Sequence, residues 1–453
     1  MATESLVGSL PDEWEVTTLG ALVKGGGGFI QTGPFGSQLH SADYVEAGIP
    51  AIMPINIAEN RVDASNIARI TPEDASRLSR YLVQAGDIVC SRRGDLERRG
   101  LMRENEEGWL CGTGCLMVRL GGKSPVEPAY ASYYLSHPSV RRWLAQHAVG
   151  ATMPNLNISI MRALPFVVPP RDEQRAVTAI LADLDGKIDL NDRVNKTLVA
   201  VARAVFKAWF TDLAPIRAKQ AGATAFPGMP QQVFERLATE VSDTPGGPLP
   251  RGWQHAPVGQ IVRVAGGKTP STKDHRFWEG GEHAFCTPKD LSRLRSPVLL
   301  DTERHLTQSG VERISSGQFP IGTVLLSSRA PIGYLAVAET PVSVNQGIIA
   351  MHSAAIPSSY LWFWAEANMP VIESRAGGST FAEISKASFR EISFLRPDDS
   401  LLAAFGDIAE PILRLITANE RESVVLAAIR DALLPELVSG SVRVGPAGER
   451  ARG

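Results

Sequence analysis

From Glu173 onward, apolar residues recur in steps of four and three: Val177, Leu181, Leu184, Ile188, Leu198, Ala202, Val205 and Trp209, with Asn191 and Asn195 on the same stripe. That spacing predicts one long helix with a heptad seam. About 228 residues later the stripe returns as Phe405, Ala409, Ile412, Ile416, Asn419, Ser423, Leu426, Arg430, Leu433 and Leu437. The two seams match step for step, including the polar break at Asn191 and Asn419. A buried Asn in such a seam fixes register at some cost in stability. Each predicted helix runs about 37 residues, roughly 55 Å at the helical rise.

Ordinary core helices are shorter than this. A homodimeric coiled coil would not need two matched seams in one chain. The match therefore favours an intramolecular antiparallel pair holding two globular heads apart. Pro411, near the start of the second helix, and Pro435, near its end, predict a bend or fray there.

The heads are also copies of one another. LPDEW at 10–14 answers LPRGW at 249–253, and each leads to a Gly-rich loop, Gly25–Gly28 in the first copy and Gly266-Gly267 in the second. GDIVCSRR at 86–93 answers GTVLLSSR at 322–329, and GCLMV at 114–118 answers GIIAM at 347–351. Gly150-Ala-Thr152 answers Gly378-Ser-Thr380, and LPFVVPP at 164–170 answers ISFLRP at 392–397. Single matches of this kind are weak; a series in unbroken order is strong. Apolar runs bounded by Gly and Pro predict strands at Asp87–Cys90, Leu116–Leu120, Thr323–Leu326 and Ile348–Met351. Aromatic stretches predict helices at Tyr130–His147 and Ser359–Ser374. The fold class that follows is α+β: two similar mixed α/β heads joined by two long antiparallel coiled-coil helices, a pseudo-twofold internal repeat. The boundaries are 1–170 for the first head, 171–217 for the first helix and 218–248 for a connector rich in Gly, Ala, Pro and Gln. The second head is 249–397, the second helix 398–444 and the tail 445–453. A short helix is expected in the connector at Gln231–Glu240.

Composition narrows the function. The chain has 453 residues, 44% hydrophobic and 21% charged, values ordinary for folded protein. Lys plus Arg is 46 and Asp plus Glu 48, a formal net charge of −2. This is not a polybasic chain, so any nucleic-acid binding needs local positive charge or a partner that supplies it. Four cysteines form no CxxC pair, which argues against zinc and for reduced thiols in a cytoplasmic protein. Neither a signal peptide nor a membrane-spanning run is expected.

Catalytic motifs are absent. Gly267-Lys-Thr269 and Gly122-Lys-Ser124 lack the leading P-loop glycine, having Val262 and Met117 in its place. There is no HExxH, no GxSxG, no dinucleotide fingerprint and no Asn/Asp-Pro-Pro-aromatic motif of an adenine methyltransferase. The acidic stretch Asp183–Asp192 reads as a solvated helix face rather than a metal site.

What remains are loops suited to phosphate and bases, once in each copy. KGGGGFIQTGPFGSQ at 24–38 offers Lys24, Ser37 and Gln38; GGKTPSTK at 266–273 offers Lys268, Thr269, Ser271 and Lys273. Glycines expose backbone N–H groups, and the side chains add donors for phosphate oxygens; solvent-exposed turns would read the same way. Arg92 and Arg93, with Arg98 and Arg99 close behind, make a local basic cluster after a strand, and Arg329 matches Arg93 in the second copy, with Ser328 beside it. An arginine fork fits guanine or phosphate, while ion pairs with Asp95 and Glu97 are the plainer alternative. Asn155 and Asn157 near Thr152, Gln346 before a strand, and Thr380 complete the candidates; the asparagines suit adenine edges and helix caps equally.

Three signatures then resemble one family, the specificity subunits of type I restriction-modification systems. AVFKAWFTDLAPIR at 204–217 is similar to the end of its central conserved helix, and RDALLPELVSGSVRV at 430–444 to its C-terminal conserved segment. LPFVVPPRDEQ at 164–174 is similar to its junction between a target-recognition domain and a helix. The second junction, RPDDSL at 396–401, departs from that form. The resemblance implies a non-catalytic subunit in which each head, a target-recognition domain, reads one half of a split site on double-stranded DNA. The helices would act as a spacer ruler and dock two methyltransferase subunits, with restriction subunits further out. No cofactor is implied for this chain; S-adenosylmethionine, ATP and Mg would belong to the partners. Two other classes stand beside this reading: a coiled-coil adaptor with no DNA role, and a nuclease or methyltransferase with an unrecognised site.

Overall fold

The computed structural model describes residues 4–150, 153–244, 247–377 and 382–444. The chain divides into two compact units: residues up to Gly186 together with those from Leu426 onward, and Lys187–Val425. Each unit therefore holds one head and one stretch of each long helix.

In the first unit a five-stranded sheet runs in the order Phe29–Thr32, Cys115–Arg119, Ile88–Ser91, Arg99–Leu101, Ile57–Val62. The second unit repeats that order with Arg263–Ala265, Ile348–His352, Val324–Ser328, Ile332–Ala338 and Val298–Leu299. In both sheets the last pairing is parallel and the other three are antiparallel. A smaller sheet packs beside each, four-stranded in the first unit and three-stranded in the second. The opening of each copy pairs with its close, Glu15–Thr18 with Pro165–Val168 and Gln254–Pro257 with Ser393–Arg396. That pairing, a two-stranded sheet of its own in each copy, brings the chain back beside its start just before a long helix begins.

The four strands expected from apolar runs fall at Ile88–Ser91, Cys115–Arg119, Val324–Ser328 and Ile348–His352. The two aromatic helices are each broken in two, and proline is the reason. Pro128–Tyr134 gives way to Pro138–His147, and Ser358–Ala367 to Met369–Ser374 with Pro370 in its first turn. Proline cannot donate to the preceding turn but is tolerated at a helix start. His137 caps the second of these helices, its Nδ1 accepting from the Ser139 N–H at 3.1 Å. Burial pushes its imidazole down to about 4, so the ring stays neutral and able to accept. The connector helix is Gln231–Arg236, shorter than expected.

The first long helix is Arg171–Phe206, followed by a π-helical turn at Lys207–Thr211. The second is Asp399–Ser439, unbroken through Pro411 and Pro435, so the expected bend or fray does not interrupt it. Pro411 sits on the exposed side, where water can satisfy the carbonyl it leaves free. Every seam position is buried or half-buried: Leu181, Leu184, Ile188, Asn191, Leu198 and Trp209 on one helix, Ile412, Ile416, Asn419, Leu426 and Leu433 on the other.

Within each unit the helix stretches run antiparallel. In the first, Val177 and Leu181 share a core with Leu434, Leu437 and Val438. In the second, Phe206 lies against Phe405 while Asn191 meets the turn at 419–423. The polar break there is a closed set of bonds. Asn191 Nδ2 donates to Asn419 O (3.2 Å) and Glu422 Oε2 (2.8 Å), Asn419 Nδ2 to Asn195 Oδ1 (2.8 Å), and Asn195 Nδ2 to Glu420 Oε1 (2.8 Å). Removing one partner strands a buried amide, so Asn195→Leu or Asn419→Leu alone is expected to cost about 1–3 kcal/mol. The double variant should cost clearly less than the sum, since an apolar pair replaces a bonded one. Urea unfolding of the four chains measures this cycle; strictly additive losses would show that the two amides do not act together.

Candidate nucleic-acid interface

Where strand Ile88–Ser91 ends, the chain turns through Arg92, Arg93 and Gly94, the last at φ +74 as only glycine adopts readily. The Arg92 N–H donates to Gly114 O (2.9 Å), and the Leu156 N–H to Arg92 O (2.8 Å). Val149 and Asn155 exchange two backbone bonds of 3.0 Å, and Asn155 also bridges to Arg93. Four segments thus meet at one corner. Arg92 Nε donates to Asn155 Oδ1 at 3.2 Å, and Arg93 is left exposed. Burial, then the charge of Arg93, draws the Arg92 guanidinium below its ordinary value, though it remains a cation at neutral pH.

The second unit builds the same corner. The Ser328 N–H donates to Gly347 O (2.8 Å), the Ile384 N–H to Ser328 O (3.0 Å), and Gly377 and Glu383 exchange bonds of 3.0 and 2.9 Å. Glu383 bridges to Arg329 as Asn155 does to Arg93. Pro54 packs under Gly114 and Pro288 under Gly347 in the same way. The backbone scaffold is repeated; the side chains it presents are not.

The candidate residues distribute unevenly over these corners. Arg92, Arg93 and Asn155 come together in the first, Arg329 and Gln346 in the second. Gln346 accepts from Thr269 Oγ1 (2.9 Å), which brings the loop carrying Lys268, Ser271 and Lys273 to the same end of the sheet. Those three are exposed. Arg98 pairs with Asp95 through Nε at 2.9 Å and points Nη1 at the carbonyls of Pro54 and Ile55. Ser37 is exposed, while the Gln38 carboxamide oxygen is occupied by the Phe35 N–H and the Tyr81 hydroxyl. Thr152 and Thr380 lie outside the described residues.

Lys24, Ser328 and the match between the two Gly-rich loops are placed differently from expectation, and of the two alternatives for Asn157 the helix cap is observed. Lys24 sits in the last turn of helix Leu19–Gly26, and Gly26 and Gly28 press on the Leu120 and Arg119 carbonyls, at the far end of strand Phe29–Thr32 from the corner. The counterpart of Gly267 is Gly33, each held against a backbone carbonyl where a Cβ would overlap, at Gly112 and at Val344. Ser328 is only 1% exposed, its hydroxyl buried and so out of reach of a ligand. Asn157 is a helix cap, its Oδ1 accepting from the Ile160 N–H at 2.9 Å, as Ser385 does from Ser388 in the other copy.

Two corner residues were not among the candidates. Lys386 donates through Nζ to Gln346 O (3.2 Å), and Glu383 stands where Asn155 stands. The spacing that equates Gly150 with Gly378 equates Asn155 with Glu383, so the signal was present in the sequence. Among the described residues no group of three His, Cys, Asp or Glu side chains is arranged to hold a metal. The four cysteines are free and buried, and burial pushes the Cys90 thiol up to about 12.

The family pattern described as type I restriction modification DNA specificity domain matches residues 11–200 and again 250–400. The chain is 35% identical over 185 residues to the type I restriction enzyme MjaIX specificity subunit of Methanocaldococcus jannaschii, covering 39% of this chain and 43% of that one. It is 24% identical over 414 residues to the HindI specificity subunit of Haemophilus influenzae, covering 82% and 89%. The crystal structure of the type I restriction-modification S subunit from M. genitalium shares the fold, with a TM-score of 0.51 over 96% of this chain and 99% of that one at 15% identity. The chain belongs to the type I restriction-modification DNA specificity family, with two copies of its recognition domain, and is a DNA-recognition component rather than a catalyst.

Proposed function

We propose that the chain reads a split DNA target, one half-site at each corner, and carries methyltransferase subunits to it. The observation that supports this most is the repeated corner: one backbone scaffold presenting Arg92, Arg93 and Asn155 in the first copy and Arg329, Gln346 and Glu383 in the second. A scaffold conserved within one chain with divergent side chains suits two related reading heads with different sequences. Two methyltransferase subunits would dock on the helices and restriction subunits would join them. Exposed apolar side chains favour the helices as docking sites: Leu190, Val194 and Val201 on the first, Leu415, Val424, Val425 and Ile429 on the second. The partners would bring S-adenosylmethionine, ATP and Mg in the cytoplasm. No helix among the described residues is long and apolar enough to cross a membrane. With a net charge of −2, the subunit alone is expected to hold DNA weakly, and the whole complex to lose affinity steeply with salt.

Mapping methylated adenines in a host that expresses this chain with its methyltransferase tests the reading. Arg93→Ala should relax only one half-site and Arg329→Ala only the other, each weakening specific binding by about 1–3 kcal/mol if the fork meets guanine. One heptad added to both helices should lengthen the spacer and leave the half-sites unchanged. A single undivided motif, or both half-sites changed by one substitution, would overturn the proposal.

A further inference from the structure

We infer that Glu383 is a base-reading residue of the second half-site, accepting a hydrogen bond from the N4 amino group of a cytosine in the major groove. The inference rests on the proposed reading of a split target and adds to it a residue and the base it selects.

Position comes first. Glu383 occupies the place of Asn155 in a corner whose backbone bonds repeat one for one, and it is exposed as a base-reading side chain must be. Charge comes second. A carboxylate facing DNA repels the phosphates, so an acidic group at such a corner needs a compensating contact. A carboxylate only accepts, and in the major groove cytosine presents an amino donor; Glu and Asp pair with that group as Asn and Gln pair with adenine. Cations beside it offset its charge on approach: Arg329 Nη1 at 3.5 Å, and Lys386, whose ammonium burial draws down and Glu383 lifts.

The Arg329–Glu383 contact is also too weak to be a structural ion pair. In the same unit Arg203 grips Glu366 through two bonds of 2.7 Å. Arg329 meets Glu383 once, at 3.5 Å, with the side chains 36% and 45% exposed. A pair so loose and wet contributes little to stability and parts cheaply. Once parted, the guanidinium fork fits guanine O6 and N7 while the carboxylate fits the cytosine amino group, a combination that reads G and C side by side.

The test is the methylated motif and the duplex affinity of the chain with its methyltransferase, for wild type, Glu383→Gln and Asn155→Ala. Folding is checked by circular dichroism, Glu383 being exposed and Asn155 half-buried. Glu383→Gln should leave the first half-site intact and change one position of the second, from cytosine to a mixture admitting adenine, which a carboxamide pairs with. Discrimination for cytosine at that position should fall about 5- to 150-fold. An unchanged motif with tighter binding to all duplexes would show that Glu383 only neutralises Arg329, and the inference would fall. So would a change at a position that is not cytosine in the wild type. Failure of the split-target reading itself looks different: the wild type would then give no two-part motif, and Asn155→Ala would not alter the first half.

Discussion

Replacing Arg430 with methionine will destabilise the first unit by about 3–5 kcal/mol, the usual cost of breaking a buried ion pair from one side. The guanidinium is 9% exposed and reaches three carboxylates, Glu59 at 2.7 Å, Asp185 at 2.8 Å and Asp431 at 2.8 Å. Two of these are well solvated and will tolerate its loss. Asp185 will not: its side chain is 17% exposed, and its other oxygen already accepts from the Tyr133 hydroxyl at 2.8 Å. Without Arg430 a carboxylate remains inside with one neutral donor. Arg430→Lys should recover only part of the loss, because one ammonium cannot span the fork's partners. Arg430→Met with Asp185→Leu should be markedly more stable than Arg430→Met alone, since removing both charges removes the desolvation penalty. Urea midpoints decide it: if the double variant is no better than the single, Asp185 is not the group that suffers.

That arginine also shows what a heptad reading conveys. The seam predicted that position 430 faces inward, and it does, as does every other position on the stripe. Periodicity fixes facing because 3.6 residues per turn permits one buried stripe. It says nothing of partners, and Glu59 and Asp185 could not be assigned to Arg430 from spacing. Four strands were legible for a different reason, each being a run of apolar residues bounded by turn residues. Pro138 and Pro370 mark the helix breaks in the sequence as well, because proline starts a helix but cannot continue one.

The reading corner was only half legible. Arg92 and Arg93 stand out as charges after an apolar strand. Ser328 takes the place of Arg92 in the repeat but is buried, because strand Val324–Ser328 is covered at every residue, which its sequence alone does not show. Matching glycine to glycine misled because Gly25–Gly28 closes a helix that is eight residues long in one copy and four in the other. Glu383 is an acceptor without the donor signature of its neighbours, and only its place in the repeat, 228 residues after Asn155, marks it.

Phe405→Ala will cost the second unit about 3–5 kcal/mol, the range for emptying a large aromatic site in a close-packed core. Phe405 is fully buried and lies within 5.3 to 6.4 Å of the ring centres of Phe206, Trp209, Phe210, Tyr360 and Phe363. Rings of this size cannot collapse into the void without leaving their rotamers, so the cavity term is added to the lost transfer energy. The edge-to-face arrangement of all five pairs is lost as well. The matching step of the other seam is Val177, in a core with Leu434, Leu437 and Val438. Val177→Ala removes two methyl groups against the whole ring of Phe405, so its cost should be about half as large or less. Hydrogen exchange separates the two. In Phe405→Ala, amides of residues 202–213 and 401–413 should lose roughly a hundredfold or more of their protection, while Val177→Ala loosens residues 173–185 far less. Equal losses would mean that the six-ring cluster contributes no more than the aliphatic packing at the matching place, and that the two halves of this repeat are held with the same strength.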